Sequence, residues 1–396
     1  MSLLKDFLLY VSGCECPPPY AVWTAYSLLS AAIGRRIFLD LQYFKVWPNI
    51  YVILVGPSGT RKTVATDMGV VLLQAAIPDI SFSANNETYQ GTITFMDSEN
   101  SVRSYFDHNG KAVEYKPYFI VASELMNYIQ NNPDGYIKFL TDIYDRPDQF
   151  IYRLKNEQRV LLRPYVVMCA CTTANWLTDQ IKQKTFSEGF GRRCIIVCNS
   201  NVVRKWPEMT DPMKAAASRC ITRLADVQKL AGPCILEPDA LDLFKQWYLT
   251  HKRPSDTFLS NWYSTKNILV LKVAMLISIS ERDDRVITKD YIELSLALLD
   301  SLEKEMPMVT DLLGRSELVG PAATIVGLLR SNGGSVSQKW LLAKTYKEFK
   351  DSKEQYGVLK HLEETGQIVI LDHTVDNMRK VMVALPGAVQ RVEPKA

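Results

Sequence analysis

The chain has 396 residues, of which 47% are hydrophobic and 22% are charged, so disorder and fibrous structure are excluded for most of it. Its length is typical of about two or three domains. The formal net charge is only +3, from 46 lysines and arginines against 43 aspartates and glutamates, and this balance alone does not indicate a nucleic-acid partner.

The eight cysteines lack the spacing of a secreted disulfide framework and of a zinc site, which favours buried free thiols in a reducing compartment. The weakly charged stretch 16–34 contains three prolines and several hydroxyl side chains, and it is predicted to be a buried helix rather than a membrane span. The first residues lack the basic region of a signal peptide. We therefore expect a cytoplasmic protein with no membrane partner.

Two helices are predicted at the start of the chain, over residues 3–11 and 20–33, and residues 1–48 are interpreted as an N-terminal helical segment. From residue 49 the pattern changes to short apolar runs separated by helical stretches. Four of these runs are predicted to be buried strands: 50–55, 118–122, 165–170 and 194–198. Strands that alternate with helices indicate an α/β fold with a parallel sheet, and this core is expected to span residues 49–205.

The rest of the chain is predicted to form two further parts. Residues 206–315 are almost entirely helical in pattern, with no strand predicted among them. Residues 316–396 contain three predicted helices followed by a two-stranded ribbon, an order typical of a winged helix.

The most specific motif is the run from Gly56 to Thr63, which follows a predicted buried strand and precedes a predicted helix. In a phosphate-binding loop, glycines let backbone N–H groups point at phosphates, a lysine contacts the β- and γ-phosphates, and a hydroxyl binds Mg²⁺. Arg61 stands where the strict motif has glycine, and Gly59 is expected to supply the lost flexibility. We predict that ATP and Mg²⁺ bind to this loop: Gly56, Pro57, Ser58, Gly59, Thr60, Arg61, Lys62 and Thr63.

Hydrolysis of a nucleotide needs a carboxylate that polarises the attacking water. The apolar run 119–122 is followed by Ser123 and Glu124, which places Glu124 at the carboxyl end of a predicted strand. Glu124 is the predicted catalytic base, and a plain strand-capping acid is the alternative. Ser123 stands where an aspartate is common, and we expect it to reach Mg²⁺ through a water molecule. The predicted Mg²⁺ site consists of Thr63, Ser123 and Glu124.

With these motifs in this order, from Asn49 to Thr63 and then Glu124, the chain resembles the AAA+ helicase-like ATPases of bacteriophages and mobile elements. Many of these proteins carry only the description of a domain of unknown function and occur beside primase domains. The order of segments is also similar to that of the minichromosome-maintenance and superfamily 3 helicases. The resemblance covers nearly the whole chain, but only the phosphate loop is specific as a string.

The resemblance implies an AAA+ core, a helical lid at 206–315 and a winged helix. It also implies a ring, with a hexamer as the expected size, in which ATP binds at the interfaces between subunits. The implied nucleic-acid partner is single-stranded DNA or a fork, and primases or replication-initiation proteins are candidate protein partners.

The resemblance further implies roles for polar residues beyond Glu124. Asn175, or Thr172 or Thr173, matches the sensor-1 position, where a polar side chain on the strand next to the loop strand detects the γ-phosphate. An asparagine that caps the next helix is the alternative for Asn175. Arg192 and Arg193 look like the arginine finger that one subunit points into its neighbour's site, and a structural salt bridge is the alternative.

Two more implied sites concern basic residues. Lys266 or Lys272, in the helical segment, is the candidate for sensor 2, although lysines on helices are usually solvated. The stretch 149–163 is predicted to be a hairpin, and in the helicases named above such a hairpin projects into the channel and holds the strand. Arg153, Lys155 and Arg159 are the matching DNA-binding candidates, and an ordinary surface hairpin is the alternative.

The third helix of the predicted winged helix carries Lys353, Gln355, Tyr356 and Lys360, which are candidates for DNA contact. Three glutamates share that helix, so we do not expect sequence-specific reading. Residues 151–205 contain ten basic and three acidic side chains, so the small net charge of the whole chain hides a basic segment.

From these observations we predict an ATP-driven, ring-forming motor that translocates on single-stranded DNA, as a replicative helicase of a phage or mobile element does. One alternative is an initiator or helicase-loader ATPase that uses ATP as an assembly switch. Another is a regulatory or scaffold protein that binds nucleotide without hydrolysing it.

Overall fold

The structure is a computed structural model of the chain. The structure describes residues 2–84, 86–129, 132–145, 148–154, 157–174, 176–177, 189–199, 201, 204–252, 257–305, 322, 324–346, 349, 351–375, 378–386 and 388. The chain divides into two compact units, Met1–Thr310 and Asp311–Ala396. In the described part, no helix combines the length and apolar character that spanning a bilayer requires.

The first unit begins with two helices and two short strands: α1 (Leu3–Val11), α2 (Pro18–Ile33), β1 (Ile37–Asp40) and β2 (Lys45–Val46). The next segment carries the main strands and the helices between them: β3 (Tyr51–Val55), α3 (Lys62–Ala76), α4 (Tyr89–Asp97), β4 (Arg103–Phe106), β5 (Ala112–Ala122), α5 (Leu125–Ile129), α6 (Pro133–Tyr144), β6 (Gln149–Leu154), β7 (Glu157–Leu162), β8 (Pro164–Thr172) and β9 (Cys194–Cys198). The unit ends with α7 (Asp211–Asp226), β10 (Gly232–Leu236), α8 (Pro238–Thr250), α9 (Thr257–Glu281), β11 (Val286–Ile287) and α10 (Lys289–Glu305).

The main sheet has the strand order β4-β5-β8-β3-β9 among the described residues. Strands β5, β8, β3 and β9 are parallel, and β4 is antiparallel to β5 at the edge. Every residue of β3, β8 and β9 is buried, as expected for strands of a parallel sheet that is covered on both faces. The predicted α/β fold with a parallel sheet is therefore confirmed, and the eight cysteines are free thiols, as predicted.

A second sheet has the order β11-β10-β1-β2 and was not predicted. Strand β1 lies in the predicted helical segment 1–48, and its parallel partner β10 lies in the predicted helical segment 206–315. Helix α1 also packs against α7. These two segments therefore form one body with the core instead of a separate N-terminal part and lid.

Helix α9 lies at the amino ends of the main strands, which is the edge opposite the phosphate loop. Trp262 donates a hydrogen bond of 3.0 Å from its indole Nε1 to the carbonyl of Cys194, the first residue of β9. Residues 269–280 of this helix are all buried. A helix that is apolar on all sides is a core helix, so α9 does not act as an exposed cover over the phosphate loop.

The second unit contains helical residues 324–331, followed by β12 (Ser335–Ser337), α11 (Gln338–Thr345), α12 (Ser352–Glu364), β13 (Val369–Val375) and β14 (Met378–Ala384). The three strands form an antiparallel sheet in the order β12-β14-β13. Its core contains the fully buried residues Ile325, Leu329, Leu341 and Val383. Three helical segments and the paired ribbon agree with the predicted pattern, whereas strand β12 was not predicted.

Candidate functional site

The phosphate loop connects β3 to α3, and its base is closely packed. The backbone N–H of Gly56 donates to the carbonyl of Thr172 over 3.3 Å. A Cβ atom at Gly56 would lie 2.5 Å from both the carbonyl oxygen of Asn199 and the phenol oxygen of Tyr20, so only glycine fits there. The Tyr20 hydroxyl lies 2.8 Å from the carbonyl of Val55 and 2.9 Å from that of Asn199. Helix α2 and the ends of three adjacent strands thus fix the start of the loop.

Two residues of the loop have left-handed backbone conformations, Gly59 with φ of 86° and Arg61 with φ of 58°. Arg61 occupies the position that is glycine in the strict motif. A left-handed conformation costs a non-glycine residue about 1 kcal/mol, so this chain keeps the loop conformation without the glycine. The guanidinium Nε of Arg61 lies 2.6 Å from Oε2 of Glu15, which holds the side chain outside the loop.

Helix α3 starts at Lys62 with no side-chain cap on its first N–H groups. Such an uncapped amino end is a favourable place for an anion. The Lys62 ammonium donates to the carbonyls of Gly56 at 2.7 Å and Pro57 at 3.0 Å, within its own loop. Burial lowers the pKa of Lys62, while Cys171 and Glu124 oppose that effect. The loop therefore presents a buried cation and free backbone donors, which fit the phosphates of a nucleotide.

The predicted catalytic carboxylate lies beside this loop. Strands β5 and β8 are parallel neighbours, so Glu124, just after β5, comes close to Thr172 at the end of β8. The hydroxyl of Thr172, which is fully buried, donates to Oε1 of Glu124 over 3.2 Å. Since the carbonyl of the same threonine accepts from Gly56, Thr172 joins the phosphate loop to the carboxylate.

A cleft of about 520 Å³ opens next to Glu124. Its walls come from α3, from the end of β5 and from α5, and they include Asp67, Gln74, Ser123, Glu124, Asn127 and Tyr128. Ser123 is exposed in this cleft, whereas Glu124 is half-buried. Thr63 lies at the start of α3 and is half-buried as well. The hydroxyls of Thr63 and Ser123 and the carboxylate of Glu124 are oxygen donors of the kind that Mg²⁺ prefers, so the set fits this ion.

The three sensor-1 candidates have different environments. Thr172 contacts Glu124, as described above. The Thr173 hydroxyl instead accepts a hydrogen bond from the backbone N–H of Trp176 at 3.4 Å, which is a capping contact. Asn175 lies outside the described residues.

The two candidate finger arginines are also unlike each other. Arg193 is buried, donates to the carbonyl of Gly189 and forms an ion pair of 2.7 Å with Asp145. It thus has the structural salt bridge that was the alternative to a finger. The Nε atom of Arg192 is buried and has no partner among the described residues. Burial, followed by the charge of Arg193, lowers the pKa of Arg192.

The structure contradicts the prediction that Lys266 or Lys272 contacts the nucleotide. Lys266 is buried and forms ion pairs of 2.6 Å with Asp300 and Glu303 of α10. Lys272 is fully buried and donates to both oxygens of Asn49, each at 2.8 Å. Asn49 precedes β3, and a five-residue strand spans about 17 Å, so Lys272 lies at the wrong end of that strand. Lys266 therefore joins α9 to α10, and Lys272 joins α9 to the residue two positions before β3.

The predicted hairpin is present, with β6 and β7 antiparallel and Leu154 paired with Glu157. Arg153 is exposed and donates to the side chain of Gln158 at 2.9 Å. Arg159 lies 3.8 Å from a carboxylate oxygen of Asp97 and also pairs with Glu157, so acids already neutralise it. Lys155 lies outside the described residues.

On α12 of the second unit, Lys353, Tyr356 and Lys360 are exposed. Gln355 is buried and donates to the carbonyl of Leu342 and to the hydroxyl of Thr345. The prediction that Gln355 contacts DNA is therefore contradicted, because its amide holds α12 against α11.

Three residues near the loop were missed by sequence reasoning: Tyr20, Glu15 and Asp67. Tyr20 and Glu15 contact the loop from more than 30 positions earlier in the chain, and no local pattern signals such contacts. Asp67 could have been found, because it follows Thr63 by four positions on a predicted helix and so shares its face.

A scan against models of protein families finds no match to this chain, and neither does a search of curated proteins.

Proposed function

We propose that this chain hydrolyses ATP and uses the energy to move along nucleic acid as part of a ring. The observation that carries the proposal is the hydrogen bond from Thr172 to Glu124 beside the phosphate loop. This bond lies at the carboxyl ends of β5 and β8, and the loop with Lys62 follows the neighbouring parallel strand β3, so all three groups lie where ligands of α/β proteins bind. A loop that only bound phosphate would not need this carboxylate.

The assignment to an AAA+ core is part of the proposal. One strand, β8, separates the loop strand β3 from β5, which leads to Glu124. This agrees with a sensor-1 strand adjacent to the loop strand. The second unit is proposed to be a winged helix, since its three helical segments precede a paired ribbon. The exposed face of α12 would be its DNA-contacting surface.

In the proposed reaction, Lys62 leaves the carbonyls of Gly56 and Pro57 and binds the β- and γ-phosphate oxygens. Glu124 accepts the proton of the attacking water, and Thr172 keeps one carboxylate oxygen in place. A bound Mg²⁺ would neutralise charge on the phosphate oxygens. Arg192 of one subunit would enter the site of its neighbour, because Arg193 is held by Asp145.

The hairpin is proposed to contact the nucleic acid. Its base adjoins Pro164, the first residue of β8, and Thr172 ends the same strand. Eight residue steps of a strand span about 26 Å. A shift of Thr172 with nucleotide state would therefore move the hairpin through a rigid strand.

The test measures the ATPase rate with and without single-stranded DNA, on a preparation whose oligomeric mass is determined in parallel. We expect turnover that DNA stimulates, and loss of turnover in Lys62→Ala and Glu124→Gln. Glu124→Gln should still bind ATP, since it retains the loop. An assembled protein with no turnover under any of these conditions would contradict the proposal.

That result would favour the alternative of a nucleotide-binding scaffold. Ser123 supports this alternative, because the usual motif has an aspartate carboxylate at that position. A footprint on one specific duplex with slow turnover and no unwinding would instead favour an initiator or loader.

A further inference from the structure

One face of α3 lines the cleft beside Glu124. The core-facing side of this helix carries Lys62, Ala65, Thr66, Gly69, Leu72 and Leu73. The cleft is lined instead by Asp67, Val70 and Gln74, which continue from Thr63 at helical spacing. The opposite wall contains Ser123 and Glu124.

Because Ser123 stands in place of an aspartate, the site has one carboxylate fewer than the usual motif. A serine hydroxyl is a neutral and weaker ligand for a divalent cation than a carboxylate. Glu124 has its own role as a base and already accepts from Thr172. A second carboxylate is therefore expected from elsewhere if the site binds Mg²⁺ tightly.

We propose that Asp67 supplies this carboxylate by holding a water molecule of the Mg²⁺ that accompanies the nucleotide, in place of the acid that is absent at Ser123. The inference rests on the proposed function, since it concerns the same site. Asp67 would be a positioning residue, because it acts on the ion through water and does not contact the reacting atoms.

The geometry of a helix supports this role. Asp67 follows Thr63 by one turn, so their Cβ atoms are about 5–6 Å apart. Helical side chains tilt towards the amino end, which brings the Asp67 carboxylate back towards the Thr63 hydroxyl. Burial and then Cys169 raise the pKa of the Cys171 thiol, and the charges of Lys62, Glu124 and Asp67 also act on it, so these three side chains lie in the neighbourhood of the end of β8.

Asp67 is exposed on the side of α3 that lines the cleft. Burial is the sole influence on its pKa among the described residues, and it raises that pKa. No basic partner therefore compensates for the partial loss of water around this carboxylate. An acid in the first turn of a helix is stabilised by the helix dipole. Asp67 lies beyond the first turn of α3 and does not have this stabilisation. An acid that lines a cleft and has no ion pair with any residue that the structure describes fits a cation site.

The test compares nucleotide affinity with Mg²⁺ and with EDTA, using a fluorescent, slowly hydrolysed ATP analogue and the full chain. In the parent protein we expect Mg²⁺ to tighten binding. Asp67→Asn should lose about 10–100-fold of the apparent Mg²⁺ affinity, the usual effect of removing an outer-shell partner. Its affinity in EDTA should equal that of the parent, which also shows that the variant folds. Asp67→Ala, with the best helix-forming residue, is the second variant.

Gln74→Ala is the matched control, because Gln74 lines the same cleft on the same helix face but carries no charge. It should leave the Mg²⁺ dependence unchanged. Adding Ser123→Asp to Asp67→Asn should restore the Mg²⁺ affinity, which a merely structural role of Asp67 would not allow. Direct titration of Mn²⁺ by electron paramagnetic resonance gives a readout that is independent of turnover.

Different outcomes separate the two proposals. If the parent binds the analogue more tightly with Mg²⁺ and Asp67→Asn keeps the same Mg²⁺ dependence, the role of Asp67 is refuted and the proposed function stands. If the parent does not bind the analogue at all, the proposed function fails and this inference fails with it.

Discussion

The hydroxyl of Thr172, the last residue of β8, donates a hydrogen bond of 3.2 Å to Oε1 of Glu124, which lies just after the parallel neighbour β5. The backbone carbonyl of Thr172 meanwhile accepts from Gly56, the first residue of the phosphate loop. One residue therefore links the loop that would hold the phosphates to the carboxylate that would activate water. A displacement of the phosphate loop would therefore be transmitted to Glu124 through Thr172.

Thr172→Val keeps the shape of the side chain and removes the donor. We expect nucleotide affinity to be retained and the ATPase rate to fall by about 10- to 100-fold, since a hydrogen bond to a charged group is worth about 1.5–3 kcal/mol. Steady-state ATPase kinetics and nucleotide titration measure the two effects. Thr173→Val is the comparison, because its hydroxyl caps the N–H of Trp176 instead. Equal losses in both variants would contradict the assigned role of Thr172.

Arg61 gives a second prediction, because it holds a left-handed conformation where glycine is usual. Arg61→Gly removes the backbone strain, and Arg61→Ala keeps it, while both lose the pair with Glu15. We expect Arg61→Gly to be more stable than Arg61→Ala by about 1 kcal/mol in the free energy of unfolding. Chemical denaturation measures this difference. Equal stability of the two variants would show that the conformation at this position costs nothing.

The parts of the fold that could be predicted are those with a strong local pattern. Strand β9 and helix α1 have the predicted bounds, because β9 is a continuous apolar run and the apolar residues of α1 recur at helical spacing. Strands β1, β2, β10 and β11 have two to five residues, and their sheet is held together by the pairing of β1 with β10 across almost 200 positions, which no local pattern shows. Strand β12, with three residues, was missed for the same reason.

The candidate site divides in the same way. Loop residues and Glu124 could be identified because a short motif and one strand end place them. Lys266 and Lys272 could not be assigned, since the partner of a helical lysine depends on tertiary packing. For Lys266 the partners come 34 and 37 positions later, on α10. For Lys272 the partner comes 223 positions earlier, at Asn49.

Lys272 therefore gives a prediction about stability instead of nucleotide binding. Lys272→Met keeps most of the side-chain volume but leaves both oxygens of the buried Asn49 without their charged donor. We expect the free energy of unfolding to fall by about 2–3 kcal/mol, measured by denaturant titration. The affinity for ATP of the folded fraction should stay within twofold of the parent. A selective loss of ATP affinity at unchanged stability would restore Lys272 as a phosphate contact.

Arg192 and Arg193 are distinguished by a mixing experiment. Arg192→Ala should abolish turnover with little effect on stability, because a finger arginine contributes about 10³–10⁵-fold to the rate. Arg193→Ala should lower the free energy of unfolding by about 1 kcal/mol, since it breaks a pair with a largely exposed Asp145. Mixed oligomers of Arg192→Ala and Lys62→Ala should regain activity, because some interfaces then combine an intact loop with an intact finger. Mixtures that stay inactive, although mixed assembly is shown by mass, would contradict a finger supplied from a neighbouring subunit.

The hairpin prediction rests on the different partners of its two described arginines. Among the described residues, the bond of the exposed Arg153 goes to a neutral amide, while Arg159 is paired with Asp97 and Glu157. In titrations of a single-stranded oligonucleotide at several salt concentrations, Arg153→Ala should reduce the salt slope of binding by about 0.7, the value for one phosphate contact. Arg159→Ala should leave that slope near the parent value.

Lys155→Ala should keep the basal ATPase but fail to unwind. Lys214→Ala, which removes an exposed lysine paired with Asp211 on α7, is the control for a general loss of charge. If Lys155→Ala unwinds normally and Arg153→Ala keeps the full slope, the nucleic acid does not bind at the hairpin.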